Sequence, residues 1–422
     1  MNVTSDAEVT NTQRTVALFL LTAIYIFNFA DRQIVAILAE PIKRDLGLSD
    51  TQLGLVSGVV FSLFYSTFGI PVGWLADRTN RVRLIAAACA AWSVCSAAGG
   101  LATNFLQLAL ARIGVGIGEA GGSPPSLSLI GDLFPPAARA RAIAVFSLAI
   151  AVGPAFASGL GGGLAAHYGW RVALTAVAAP GVILAVMLLI MVREPVRPPV
   201  PAGRRSGERP LAVIGSFLRD PALARTAVTT GMSAFVAYGV SSWTPAMLIR
   251  TKGMDLTDIA LHFTIAAGVM TSLGILTSGW IIDRWAVRNP RVYALLPGTA
   301  FLIAPFFLAG ALVADTWQLS LLLLCVPMLL NSVWLSPALA LVQAVVPPER
   351  RAASSAILLF ALNLIGLGGG PLYVGMISDA ARDAWGTQSL LVGLGAIVPV
   401  YLLTAAAHFR TAPVVAATLH RG

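Results

Sequence analysis

The chain of 422 residues is 57% apolar and only 11% charged, with mean hydropathy +0.81. A soluble globular protein carries about 25% charged residues and roughly 45–50% apolar ones, so that class is excluded. The net charge of +9 comes from 28 basic against 19 acidic residues; the basic residues fall between apolar runs, so they report membrane orientation rather than a nucleic-acid partner.

Apolar runs bounded by charge, Pro and Gly predict twelve membrane-spanning helices. They lie near residues 16–38, 51–75, 82–102, 105–133, 141–166, 171–192, 222–248, 257–282, 292–314, 317–346, 353–377 and 389–409. Hydrocarbon offers backbone groups no water, so each span closes its own hydrogen bonds as a helix. The polar first fifteen residues hold one Arg, and the run after them lacks a small-residue cleavage pattern, so it reads as a retained first span. That span contains Asp31 and Arg32. Span three carries Cys89 and Cys95, about 9 Å of helical rise apart, beyond the roughly 7 Å limit for a disulfide. Span four places Arg112 and Glu119 two turns apart on one face. It continues Glu-Ala-Gly-Gly-Ser-Pro-Pro, where prolines remove donors and glycines loosen the helix, predicting a bend or unwound turn.

Residues 193–221, rich in Pro, Arg and Gly, read as a flexible cytoplasmic linker between spans six and seven. The second half offers Tyr238, Ser241, Ser242 and Trp243 in span seven, Asn331 and Trp334 in span ten, and Asn363 in span eleven, with no clear mid-membrane charge. His167, His262, His408 and His420 lie at predicted loops and helix ends without metal-ligand spacing, and no P-loop is present. These observations predict no enzyme, no metal and no bound cofactor.

Lys and Arg number 19 in one set of alternate loops and 6 in the other, which assigns both termini and the linker to the cytoplasm. Two strings recur. GWLADR (Gly73 to Arg78) returns as GWIIDR (Gly279 to Arg284) 206 residues later, and PPAAR (Pro135 to Arg139) as PPERR (Pro347 to Arg351) after 212. Both copies sit on the basic side, so the halves are parallel repeats: an all-α membrane protein of twelve transmembrane helices in two pseudo-symmetric six-helix bundles. The units are 1–192, the linker 193–221 and 222–422. Such halves rock about a central site near the midplane.

The chain resembles the major facilitator superfamily. The signature between helices two and three is met at Gly73, Asp77, Arg78, Arg81 and Arg83, with Asn80 where the family usually has Gly. The helix-four signature is met at Arg112, Gly116 and Gly118, while the helix-five antiport signature is only half kept, at Gly153-Pro154. The segments Asp31 to Gly58 and Arg112 to Pro136 are similar to the Spinster-like branch. That resemblance implies proton-driven transport of a lipid-like or amphipathic molecule, such as sphingosine-1-phosphate or lysophospholipids in eukaryotic members. It implies a gating role for Gly73, Asp77, Arg78 and Arg81 and, in the second half, Gly279, Asp283 and Arg284.

An ionisable group at bilayer depth costs about 2.5–3.5 kcal/mol or more and is a functional candidate. Asp31 and Glu119 are therefore candidate proton-coupling acids. Arg32 and Arg112 either pair with them or bind an anionic headgroup through the guanidinium fork; static ion pairs pinning spans one and four are the plainer alternative. A charged half facing the polar-aromatic residues Tyr238, Trp243, Asn331 and Asn363 suits an amphipathic anion. The expectation is a secondary transporter of the cell (inner) membrane working by alternating access, with a proton as coupling ion. Its partners are membrane lipids and an amphipathic or anionic small molecule, with no nucleic acid, and it acts as a monomer. Rivals are a small organic-acid or drug carrier, an uncoupled lipid scramblase-like path and a lipid-modifying membrane enzyme.

Overall fold

The structure, a computed structural model, describes residues 10–76, 78–195, 210–347 and 350–419. The spanning elements in chain order are α1 (Asn11–Ile37), α2 (Asp50–Ala76), α3 (Arg81–Gly99), α4 (Phe105–Glu119, then Ser123–Leu133), α5 (Arg141–Tyr168) and α6 (Trp170–Met191). They continue with α7 (Pro221–Lys252), α8 (Leu256–Trp285), α9 (Val292–Val313), α10 (Trp317–Val345), α11 (Ala353–Ala380) and α12 (Arg382–Leu419). Ten of them are long and apolar enough to cross a membrane. The other two depart for readable reasons. α4 is broken at Ala120–Gly122 by the Gly-Gly-Ser-Pro-Pro run. α7 is continuous but diluted by Arg225, Thr226, Thr229, Thr230 and Ser233.

The internal repeat extends to backbone detail. Ser49 caps α2 and Asp255 caps α8, 206 residues apart, each accepting from a backbone N–H three residues on. Gly47 and Gly253, at the same offset, both adopt the left-handed conformation that ends the preceding helix. Asn104 and Thr316 cap α4 and α10 at the 212-residue offset.

Two of the sequence readings change, one in the linker and one at the end of α12. Pro210–Arg219 is a helix, not a flexible coil: Pro210 suits its first turn, and Phe217 is buried with Leu223, Ala338, Val342, Val346 and Leu358 on the ends of α7, α10 and α11. Residues 196–209 lie outside the described residues. α12 runs ten residues past its predicted end, which puts His408 inside the helix and buried, not at a helix end.

The halves meet along three seams: α1 with α7, α2 with α11, and α5 with α8. In the last two pairs each helix widens to one π-helical turn, at Leu55–Val59, Ala157–Gly161, Ile259–Phe263 and Leu362–Gly368. These turns pack against one another, Leu55–Val59 on Leu362–Gly368 and Ala157–Gly161 on Ile259–Phe263. The contacts gather toward the end that carries the α1–α2 and α7–α8 connections. Toward the opposite end, Gly73, Gly131 and Gly279 have no heavy atom within 4 Å of where a Cβ would stand.

Candidate functional site

Asp31, Arg112 and Glu119 are buried at 2%, 3% and 1% exposure, where α1 faces α4. Arg32 lies at the rim, its side chain 17% exposed, and its Nε stands 2.6 Å from Glu119 Oε2. Its guanidinium is ringed by Tyr65 at 4.5 Å, Phe29 at 5.1 Å and Phe61 at 5.3 Å from the ring centres. Phe61 also lies 5.0 Å from the Arg112 guanidinium, so one ring borders both cations. Arg112 makes no ion pair with a carboxylate among the described residues. Its Nη1 donates to the Asp31 backbone carbonyl at 3.4 Å, while the Asp31 carboxylate accepts the Ser96 hydroxyl. Of the four charged groups, only Arg32 and Glu119 form a close pair.

Beside this cluster lies a cavity of about 260 Å³ between α1, α5, α7, α8 and α10. Gln33, next to Arg32, begins its wall; Tyr238, Ser241, Asn331 and Trp334 line the other side, with Ala36, Ile37, Phe263, Leu324 and Met328 supplying apolar surface. Asn331 also holds Tyr401, its Nδ2 2.7 Å from the phenol oxygen. Trp243 and Asn363 are not part of the wall. Trp243 is buried and donates its indole N–H to the Pro371 carbonyl at 2.8 Å, joining α7 to α11. Asn363 sits half-buried in the widened turn of α11.

The residues at the basic ends of the helices are dispersed. Asp77 lies outside the described residues. Arg78 folds back over Trp74, 3.7 Å from its ring centre. Arg81 is buried and bridges Asp132 of α4 at 2.6 Å and Glu194, beyond α6, at 2.7 Å, within the first half. Gly279 has open space around it, and Asp283 and Arg284 are exposed, Arg284 lying 6.0 Å from the Trp280 ring.

The opposite end carries a network that the sequence reading missed. Arg250 of α7 forks onto Asp50 of α2, Nη1 to Oδ2 at 2.8 Å and Nη2 to Oδ1 at 2.9 Å, while its Nε reaches Glu40 at 2.9 Å. Lys43 also holds Asp50, and Ser378 of α11 donates to it at 2.6 Å. The Asp379 carboxylate accepts the backbone N–H groups of Asp50 and Thr51 at 3.0 and 2.7 Å, at the positive start of α2. A signal was there: Lys43 and Arg250 belong to the six basic residues of the charge-poor loops, and Glu40 and Asp50 are acids of the same end.

Two helical halves closed together at one end around a central cavity define a multi-pass membrane transporter. Residues 21–371 match the Major Facilitator Superfamily, and the chain belongs to that family. It is 35% identical to an MFS-type efflux pump of Mycolicibacterium smegmatis, over 89% of this chain and 86% of that one. It is 30% identical to protein spinster homolog 1 of Xenopus laevis, over 86% of this chain and 73% of that one. The crystal structure of a bacterial homolog to the human lysosomal transporter Spinster, inward-facing and unoccupied, matches with a TM-score of 0.82 at 30% identity. That match covers 98% of this chain and 96% of that one. Within the superfamily the chain is Spinster-like, a transporter and not an enzyme.

Proposed function

We propose that the protein is a proton-coupled secondary transporter of an amphipathic or lipid-like organic anion, working by alternating access. The observation that carries this reading is the Arg32–Glu119 pair, with Arg32 next in sequence to Gln33, which lines a largely apolar cavity. Protonating Glu119 removes the negative partner of Arg32 and frees its guanidinium for a phosphate or carboxylate headgroup. An apolar tail would then lie along Phe263, Leu324 and Met328. Asp31 is the second coupling acid, with Arg112 setting the field around it.

Residues 1–192 and 222–422 are the units that rock, joined by residues 193–221. The basic ends face the cytoplasm of a cell whose inner membrane holds the protein as a monomer, and Gly73, Asp77, Arg78, Arg81, Gly279, Asp283 and Arg284 act at that gate. A second reading, a small organic-acid or drug carrier, is favoured by the efflux-pump name of the relative from Mycolicibacterium smegmatis.

The test uses proteoliposomes with an imposed pH gradient, offered a labelled lysophosphatidate and, separately, a labelled hexuronate. Glu119→Gln is expected to lower gradient-driven uptake by about a hundredfold, the scale of one lost proton-transfer group, while exchange without a gradient persists. Unchanged gradient-driven uptake removes Glu119 from the role. Uptake of the hexuronate alone favours the second reading.

A further inference from the structure

Four side chains between α1 and α4 hold more polar atoms than the protein can satisfy. Asn28 is 1% exposed, and neither its Nδ2 nor its Oδ1 has a hydrogen-bond partner among the described residues. The same holds for Asp31 Oδ2, Glu119 Oε1 and the Nε and Nη2 of Arg112. The shortfall is local: these are six of the eleven such atoms in the described residues.

The four are neighbours. Asn28 and Asp31 are three residues apart on α1, hence on one face. Arg112 donates to the Asp31 backbone, and a Cβ placed on Gly122, in the broken turn of α4 just after Glu119, would stand 3.8 Å from Asn28 Nδ2. Donors and acceptors are mixed: Asn28 brings both, Arg112 only donors, and the two carboxylates only acceptors when ionised. A buried polar group left dry loses its hydration with nothing in return, so groups of this kind are satisfied by protein or by ordered water. No protein group among the described residues does so here, and a mixed set of donors and acceptors is what a water molecule needs.

We infer that the α1–α4 interface encloses a small water cluster seated on Asn28, Asp31, Arg112 and Glu119, and that Asn28 is the residue positioning it against Glu119. Arg32 occupies Glu119 Oε2, which leaves Oε1, without a partner among the described residues, as the oxygen that water reaches. A hydronium at that oxygen gives its proton to the carboxylate, leaving neutral water and a neutral acid. The cluster's use in transport rests on the reading of Glu119 as a coupling acid; its existence does not.

The test uses the full chain in phosphatidylcholine vesicles and reads the infrared C=O stretch of protonated Glu119, assigned by its loss in Glu119→Gln. In wild type the band is expected to shift promptly in D2O. Asn28→Leu should slow that exchange by about tenfold or more, and Asn28→Ser, which keeps a donor and an acceptor, should restore it. Equal exchange rates in wild type and Asn28→Leu overturn the inference, as does failure of Asn28→Ser to recover. A loss of gradient-driven lysophosphatidate uptake without loss of exchange supports the positioning role; equal loss of both marks a structural one and overturns it. If Glu119→Gln leaves transport gradient-driven, the coupling reading fails alone. If no Glu119 band titrates, a density map fine enough to show ordered water decides: solvent beside Asn28 supports the cluster, and a dry contact sinks it.

Discussion

The seam between α2 and α11 and the seam between α5 and α8 occupy equivalent places in the two-fold plan, yet they are built differently. On the first, backbones touch. A Cβ on Gly54 would lie 2.7 Å from the Pro371 carbonyl oxygen, one on Gly58 2.7 Å from that of Gly368, and one on Gly375 2.3 Å from that of Asp50. On the second, the corresponding distances are longer: 3.3 Å from Gly162 to the Ala260 Cβ, 3.7 Å from Gly159 to the Ala260 oxygen and 3.8 Å from Gly268 to the Ala155 Cβ. The Ser378 hydrogen bond to Asp50, and those that the Asp50 and Thr51 N–H groups donate to Asp379, fall on the tight seam. Small residues let membrane helices approach until packing and hydrogen bonds hold them without help from water. The closed end is therefore fastened along α2–α11 and merely in contact along α5–α8.

The largest expected effect comes from cutting the fastening at its charged centre. Arg250→Ala strips Asp50, which has no exposed surface, of its bidentate partner and Glu40 of its cross-half contact. Breaking one partner out of a buried ion pair costs about 3–5 kcal/mol. A shift of that size nearly inverts a two-state population. Spin labels at the exposed positions Thr103 and Asp315, one on each half at this end, should move apart in the distance distribution. An unchanged distribution would show that the network does not hold the closed end.

A smaller effect is expected from crowding the tight seam. Gly58→Ala puts a methyl against the Gly368 carbonyl and should weaken closure by roughly 1–3 kcal/mol, the usual cost of overpacking. Gly268→Ala on the other seam meets only ordinary van der Waals contact, so its effect should stay within about 1 kcal/mol and fall on the stabilising side through helix propensity. The same label pair and a thermal melt check both. Equal responses from the two glycines would remove the distinction between the seams.

Much of this architecture was legible because membrane constraints are severe. Hydropathy placed the spans, and the recurring GWLADR and GWIIDR strings located a repeat that returns in the caps of α2 and α8. Buried charge singled out Asp31, Arg112 and Glu119. The partners were not legible. Whether Arg32 or Arg112 takes Glu119 depends on rotation about each helix axis, and spacing along one helix does not fix the rotation of its neighbour. Trp243 illustrates the limit: in sequence it shares a segment with Tyr238, yet Tyr238 lines the cavity and Trp243 turns away to bond Pro371. Pro210–Arg219 was hidden by the Pro-Arg-Gly run before it, and its anchor Phe217 gains meaning only from the helix ends it covers.

The smallest expected effect is a control on position. Asp45 lies at the same end as Asp50, but its partners Arg171 and Trp170 belong to its own half, with Trp170 Nε1 3.0 Å away. Hydrogen bonds from Arg171 and then Trp170 hold its carboxyl below the ordinary carboxylate value. A lowered folded value means that the stabilisation is present above the unfolded value of about 3.9 and is lost as pH falls through the folded one. Melts of wild type and Asp45→Asn should therefore differ by a constant small amount near neutrality and converge in acid, with the gap shrinking as salt is added. The Thr103–Asp315 distance should not change at any of these pH values, because nothing crossing between the halves has been touched. A shift as large as that of Arg250→Ala would mean that charge at this end acts wherever it sits, and the contrast between the two seams would lose its cause.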